Sequence, residues 1–322
     1  MSANVEGAGG TGADAPQTPA VGPRRPLSRG QSFGVVAVAY LTALVVAAVV
    51  VQVVGTDRLL LTVALADLAA TVVIFVWSRL LNNTSMYDIY WSVVPPVVAV
   101  FLVVMAEPGA VGLRQALVVA VVWFWAVRLT ANWARGWPGL HHEDWRYVDM
   151  RNGAAPYWVA SFFGLHLMPT VVVYLAMLPL FPALASGTRP VGWLDIVAFV
   201  VAGGSVVLEW VADEQMRAFA RTKSPGEVCR RGLWGRSRHP NYLGEMGFWW
   251  GLWLFAVAAQ PSWWWTVVGP VVMTVMFLGA SLPLMERRSL ERRPAYADYA
   301  AETPLVVPRP WRRPTGNGQP AR

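Results

Sequence analysis

FGVVAVAYLTALVVAAVVVQVV, residues 33–54, carries no charged side chain over its whole length. A helix rises 1.5 Å per residue, so such a stretch covers the roughly 30 Å of bilayer hydrocarbon with its backbone hydrogen bonds satisfied internally. Seven further stretches read the same way, at 59–81, 89–106, 115–133, 156–184, 191–212, 242–260 and 262–284. The fifth contains Pro169, which predicts either a long tilted helix or a break. The chain is therefore expected to be all-α, a polytopic bundle of about eight transmembrane helices. Composition agrees, because 55% hydrophobic against 14% charged residues leaves too little polar surface for a water-soluble fold. Tryptophans near the ends of apolar runs, among them Trp77, Trp91, Trp137, Trp193 and Trp234, suit the headgroup zone.

Residues 1–32 are rich in Gly, Ala, Pro, Ser and Thr, include Arg24, Arg25 and Arg29 near their end, and are expected to be a disordered tail. A membrane domain over 33–300 and a tail over 301–322 complete the division. The first apolar stretch lacks a small-residue cleavage site, so it reads as a retained helix. Positive charge then sets orientation: the amino terminus carries three basic residues, the 134–155 loop three, the 213–241 loop seven and the tail after residue 284 eight. The intervening connections carry one or none, which predicts eight crossings with both termini cytoplasmic. Lys223 is the only lysine, so the net charge of +7 is almost wholly arginine gathered in loops, a layout of membrane topology and not of nucleic-acid binding. The single cysteine, Cys229, excludes an internal disulfide and a multi-cysteine metal site.

Four polar constellations would open on that cytoplasmic side. In the run Gly232 to Glu245, a helix starting near Pro240 would aim free amides at whatever Arg236 and Arg238 attract, with a phosphate the natural guest. Asn241 and Glu245, four apart, share a face of that helix beside His239. The plainer reading is a basic loop held against anionic lipid. Glu209, Asp213 and Arg217 repeat at spacing four, either as an ion-pair ladder or as a ligand site. Arg128 lies within a span and needs a partner there; Asn132, Arg135 and the loop His141-His142-Glu143-Asp144-Trp145-Arg146-Tyr147 follow it. Adjacent His141 and His142 point apart, and no metal is expected. Glu286, Arg287, Tyr296 and Tyr299 after the last span form either an ordered tail or a lid. A further cluster of Asn82, Tyr87, Asp88, Tyr90 and Trp91 precedes Pro95-Pro96, where a helix break often borders a binding site but can equally be a packing kink.

The run from Gly232 to Glu245, the Glu209/Asp213/Arg217 helix, the Glu286 to Tyr299 tail, Glu143-Asp144-Trp145-Arg146-Tyr147 and Tyr87-Asp88-Ile89-Tyr90-Trp91 together resemble the carboxy-terminal domain of the steroid 5-alpha-reductase family, most closely its bacterial branch. The resemblance covers roughly residues 60–310. It implies a plasma-membrane reductase that takes hydride from NADPH to the beta carbon of an enone while a protein acid polarises the carbonyl. By the same resemblance, Arg146, Arg217, Arg236 and Arg238 would hold the nucleotide phosphates. Arg128, Asn132, Asp213, Trp234, His239, Asn241, Tyr242, Glu245, Glu286, Tyr296 and Tyr299 would complete the cofactor site. The family's amino-terminal acid pair has no clear match, and Tyr87, Asp88, Glu143 and Tyr147 are the catalytic candidates by chemistry and position. Where steroid members often carry Asn at the start of the acidic helix motif, this chain has Glu209. Expected partners are an apolar or lipid substrate and the membrane lipids; oligomeric state is not legible. The chief rival is an S-adenosylmethionine-dependent membrane methyltransferase of the isoprenylcysteine or phospholipid kind, which shares an Arg-His-Pro-x-Tyr-x-Gly stretch. A transporter would place ionisable groups at mid-membrane, where this chain has few: Asp67, Arg128, Asp195 and Glu209.

Overall fold

A computed structural model describes residues 27–308 apart from Ala154; most of the two expected tails lies outside the described residues. Ser28 caps the first helix, α1 (Arg29–Val54), its hydroxyl accepting from the Gln31 amide while the Gln31 side chain reaches back. The helix thus starts four residues before the expected membrane-domain boundary. α2 (Leu59–Leu80) returns, and a short 3-10 turn over Thr84–Tyr87 leads into α3 (Tyr90–Val104). α4 (Gly112–Gly136) is followed by the short α5 (Trp145–Arg151). Next come α6 (Tyr157–Ala160) and α7 (Met168–Met177), then α8 (Trp193–Thr222) and α9 (Pro240–Ala259). The last pass joins α10 (Val268–Met276) to α11 (Leu282–Arg292), and α12 (Tyr296–Glu302) follows outside it. There is no strand among the described residues.

Of the two readings left open by Pro169, a long helix or a break, the structure shows the long helix. The backbone widens into a π-type turn over Ser161–Leu167, which accommodates the missing amide of Pro169, and the helix runs on. Pro283 is preceded by the same device at Phe277–Ser281. Pro95 and Pro96 sit inside α3 without ending it.

Cross-bundle hydrogen bonds fix which ends meet. Arg29 at the start of α1 donates to the carbonyls of Ala134 and Trp137 at the end of α4. At the opposite end, the Glu107 amide donates to Ala185, Arg114 forms a buried 2.6 Å ion pair with Asp195, and Ser186 meets Gln260. The described residues therefore make eight passes of the bundle, and the two described ends lie at the same end of it. Seven passes are long and apolar enough to cross a membrane; α9 is the eighth, made less apolar by Asn241, Glu245 and its tryptophans.

Lipid-facing positions are apolar and exposed, as on α1 at Leu41, Val45 and Val49 and on α8 at Ile196 and Val200. Trp193 belongs to that surface at 74% exposure. Trp137 and Trp234, expected in the headgroup zone, are instead buried at 5% and 8%. Trp137 stacks on Trp133, and the Trp234 indole donates to the Ala212 carbonyl; both rings gain more from protein partners than the interface offers.

α8 and α9 pack in close contact along their length. A Cβ on Gly251 would lie 2.6 Å from that of Ala202, and one on Gly244 would lie 2.7 Å from the Ser205 carbonyl. Small residues there let the backbones touch, as in membrane bundles generally. That approach sets Glu245 of α9 beside Glu209 of α8.

Candidate functional site

Arg128 of α4 is the electrostatic centre between α4 and α8. It forms ion pairs with Glu209 and, at 2.8 Å, with Asp213. Asn132, one turn on, donates to Asp213 at 3.0 Å and accepts from Arg217. The ladder of spacing four on α8 is thus paired across to α4 and not along its own face. Arg217 and Arg135 also converge on Glu214. Glu245 accepts from two indoles, Trp125 and Trp249, each at 2.9 Å. Buried charge in a bilayer is tolerable only with such partners.

Beside this ladder, at the polar end of the bundle, lies a cavity of about 510 Å³. The first turn of α3 contributes Asp88 and Trp91, the end of α4 Asn132, Trp133 and Trp137, and α5 Arg146 and Tyr147. Asn241, Tyr242 and Glu245 of α9 and Glu209 of α8 close it. α5 is positioned by Asp144, whose carboxylate caps the Arg146 amide and pairs with its guanidinium at 2.7 Å, and whose own amide donates to Ser85. Tyr147 thereby reaches Asp88 and donates its phenol proton to that carboxylate. Burial foremost, and then the adjacent Asp88 charge, push the Tyr147 phenol well above its ordinary value, so it stays a proton donor.

Four buried polar atoms on the cavity's residues have no partner: the indole nitrogens of Trp133 and Trp137, Oδ1 of Asn241 and Oε2 of Glu209. Native interiors seldom leave such groups unpaired unless a water or ligand completes them. The lining is also acidic, with Asp88, Asp144, Glu209 and Glu245 set against one arginine, Arg146. Asn132 additionally lines a smaller groove of about 180 Å³ with Arg128, Arg135, Asp213 and Arg217, so the cavity and the groove share that residue as a wall.

The other expected site residues stand elsewhere. The Glu143 carboxylate is taken up by Arg151 at 2.7 Å, the Thr84 amide at 2.8 Å and Tyr157. Tyr87 is buried against Thr170, with its hydroxyl at 2.6 Å, and stacks on Tyr90. Arg238 and His239 do not line the cavity: both bind Glu286, His239 Nε2 at 2.6 Å, and Tyr296 donates to the same carboxylate at 2.5 Å. α9 does start at Pro240, yet the amides of Arg238 and His239 donate to the carbonyls of Pro304 and Leu305 in the tail. Tyr299 donates to the Trp234 carbonyl at 2.5 Å, fastening that strap. Its phenol is pushed up to about 12, chiefly by burial. Trp234 is part of this knot, and Arg236 is exposed beside it.

Sequence reading did not single out Trp133 or Ser85 as cavity residues, and it named Asp144 only as part of its loop and motif, without a role. The spacing of Trp133 and Trp137, one turn apart beside Asn132, was the available signal. It also passed over the pairing of Asp67 with Tyr90. The Tyr90 hydroxyl donates to Asp67 Oδ1 at 2.7 Å, while Oδ2 has no partner. This pair faces a second cavity, about 690 Å³ and almost wholly apolar, among α1, α2 and α3. The two cavities lie on opposite faces of the start of α3: Asp88, Ile89, Trp91 and Ser92 line the polar one, Tyr90, Val93, Val94 and Val97 the apolar one.

No solved structure matches the chain. An uncharacterized protein of Schizosaccharomyces pombe is similar to it, 27% identical over 260 residues that cover 73% of this chain and 74% of that protein. A family described as "Protein of unknown function (DUF1295)" matches residues 74–303, a stretch that takes in both sides of the polar cavity, and the chain belongs to that family.

Proposed function

We propose that the chain is a membrane-embedded, NADPH-dependent reductase that saturates a carbon–carbon double bond conjugated to a carbonyl in an apolar, steroid- or lipid-like substrate. The observation that carries this reading is the polar cavity, with its unpaired donors and acceptors and its excess of carboxyl groups. A nicotinamide carboxamide offers an acceptor oxygen to the Trp133 and Trp137 indoles and donor hydrogens to Asn241 Oδ1 and Glu209 Oε2, all four of which lack partners. Arg146 in the cavity and Arg135 and Arg217 in the adjoining groove are the cations placed for phosphates.

A bound dinucleotide would supply hydride and would gain positive charge in doing so; the carboxyl groups of Asp88, Asp144 and Glu245 around the cavity would favour that change. Methyl transfer reverses the sign, because a sulfonium loses its charge in the transition state and the same carboxylates then favour the ground state. This supports reduction over the methyltransferase alternative. Tyr147 is the proposed proton donor to the substrate oxygen: its single O–H would turn from Asp88 to the substrate, and Asp88 in its protonated form would donate to the phenol oxygen and replace the proton that Tyr147 gives up. The site end of the bundle is proposed to be cytoplasmic in a bacterial plasma membrane, in line with the arginine count.

The test is binding by the full-length protein in detergent. Energy transfer from tryptophan to added NADPH should be saturable and unaffected by S-adenosylmethionine, and Asn241→Ala should weaken it about tenfold, the value of one lost hydrogen bond at the upper end of the usual range. Competition by S-adenosylmethionine with no NADPH signal would turn the assignment to methyl transfer.

A further inference from the structure

The apolar cavity of about 690 Å³ is a slot between α1 and α3, over α2. Small residues make the room for it: Ala43 of α1 and Ala66 and Ala70 of α2 are buried in its wall. Along α1 it runs from Ala37 to Gln52, about 22 Å at the rise of a helix. Leu41 and Leu44 of α1 and Val97 of α3 line it and are also exposed on the lipid-facing surface, so the slot opens sideways toward the bilayer.

One carboxyl group stands in this apolar wall. Asp67 is 6% exposed; its Oδ1 accepts from Tyr90 at 2.7 Å, and its Oδ2 meets no partner among the described residues. The other polar side chains of the wall are engaged or distant: Tyr40 donates to the Met86 carbonyl at 2.8 Å, Tyr90 is held by Asp67 itself, and Gln52 lies exposed two residues from the end of α1. A water beside Oδ2 would lack the two or more partners that buried waters usually have. A phospholipid acyl chain would fill the volume and leave the oxygen bare, which is costly at this depth. A hydroxyl satisfies it whether or not Asp67 holds its proton, because a hydroxyl both donates and accepts.

We propose that the slot is a binding site for one lipid alcohol, a molecule of fused rings or a single chain that enters from the bilayer and pairs its hydroxyl with Asp67 Oδ2. The ligand is distinct from anything reduced in the polar cavity. The two cavities lie on opposite faces of the start of α3, a helix is about 10 Å across with its side chains, and hydride transfer needs reacting atoms about 3–3.5 Å apart. The site is read without nucleotide or enone, so it stands if the reductase reading falls.

The test is native mass spectrometry of the full-length protein in detergent, titrated with hexadecanol, geranylgeraniol and cholesterol, each against the same skeleton without its hydroxyl. At least one alcohol should bind as a single copy roughly tenfold or more tightly than its hydrocarbon, the scale of one buried hydrogen bond. Asp67→Leu should erase that preference; Tyr90 then keeps its 3.0 Å bond to the carbonyl of residue 67. Asp67→Asn, whose amide also pairs with a hydroxyl, should retain most of it, and that rescue separates a lost contact from a damaged fold. Ala48→Phe, inside the slot, should displace the alcohol, whereas Val45→Phe, exposed on the same helix outside it, should not. No alcohol preferred over its hydrocarbon, a preference that survives Asp67→Leu, no rescue by asparagine, equal effects of the two phenylalanines, or a slot taken only by phospholipid would each overturn the proposal.

Discussion

Asp88 and Tyr147 come from segments almost sixty residues apart and meet in one hydrogen bond at the edge of the polar cavity. If this pair supplies the proton, Tyr147→Phe and Asp88→Asn should each lower enone-dependent NADPH oxidation by roughly 10² or more, the usual scale of general acid catalysis, with nucleotide binding changed less than twofold. A loss of that size in Asp67→Asn, with Asp88→Asn unaffected, would move the chemistry to the far side of α3. Arg238 makes the opposite case. Its guanidinium is largely buried on Glu286, so Arg238→Ala removes one of the three groups that hold this carboxylate, leaves His239 and Tyr296 on it, and should cost about 1.5–3 kcal/mol of stability, seen as a lowered detergent melting temperature. Nucleotide affinity should hold in Glu286→Gln. Sequence chemistry identified Asp88, Tyr147, Asn241 and Glu245 as residues worth watching, and the fold brings all four to one cavity. It could not foresee that Arg238 and His239 are occupied from within, because that depends on Glu286 arriving from a helix nearly fifty residues later.

At the scale of elements, α9 owes its position to glycines that face α8. Gly251→Val would drive a branched side chain into the backbone of Ala202, and overpacking of this kind should cost about 1–3 kcal/mol. The same variant should disturb Glu245 and weaken the cavity's ligand, measured by melting temperature and by binding in parallel. The tail strap carries a pH signature. Tyr299 is raised from about 10 in an unfolded chain to about 12, so the folded state holds its proton more tightly. The stabilisation is complete below pH 10 and is lost as pH rises through 12, so alkaline unfolding should steepen across that window and Tyr299→Phe should flatten it. Helix positions were legible from hydropathy, except that α8 runs on to Thr222 and α11 to Arg292, ten and eight residues beyond the expected ends, because their last turns are charged and leave the apolar pattern. The wide turn at Ser161–Leu167 was not legible, since a proline in an apolar run leaves a long helix and a break both open until neighbouring helices are seen to hold the backbone together.

For the whole molecule, eight passes bring the described start and finish of the chain to the same end of the bundle, where the arginine-rich connections also gather. A reporter fused after residue 322 should therefore read cytoplasmic, and one placed in the connection between α3 and α4, near Gly109, should read the opposite side. Agreement between both reporters on one side would remove the eighth pass. The alternation of charge was visible in sequence because loop arginines need no partner to be counted. The two cavities were not visible, because the polar one is bounded by residues from five helices and the apolar one by residues from three, and neither wall has a pattern of its own.

Pro304 and Leu305 hold the turn before Pro240, and this sets an order on biogenesis. Those residues are among the last described here to leave the ribosome, long after the hydrophobic segments have been handed to the insertion machinery. Until residues 304 and 305 have been made, the entry to α9 stays unfastened, so the turn before Pro240 closes only after every helix that precedes the strap is in place.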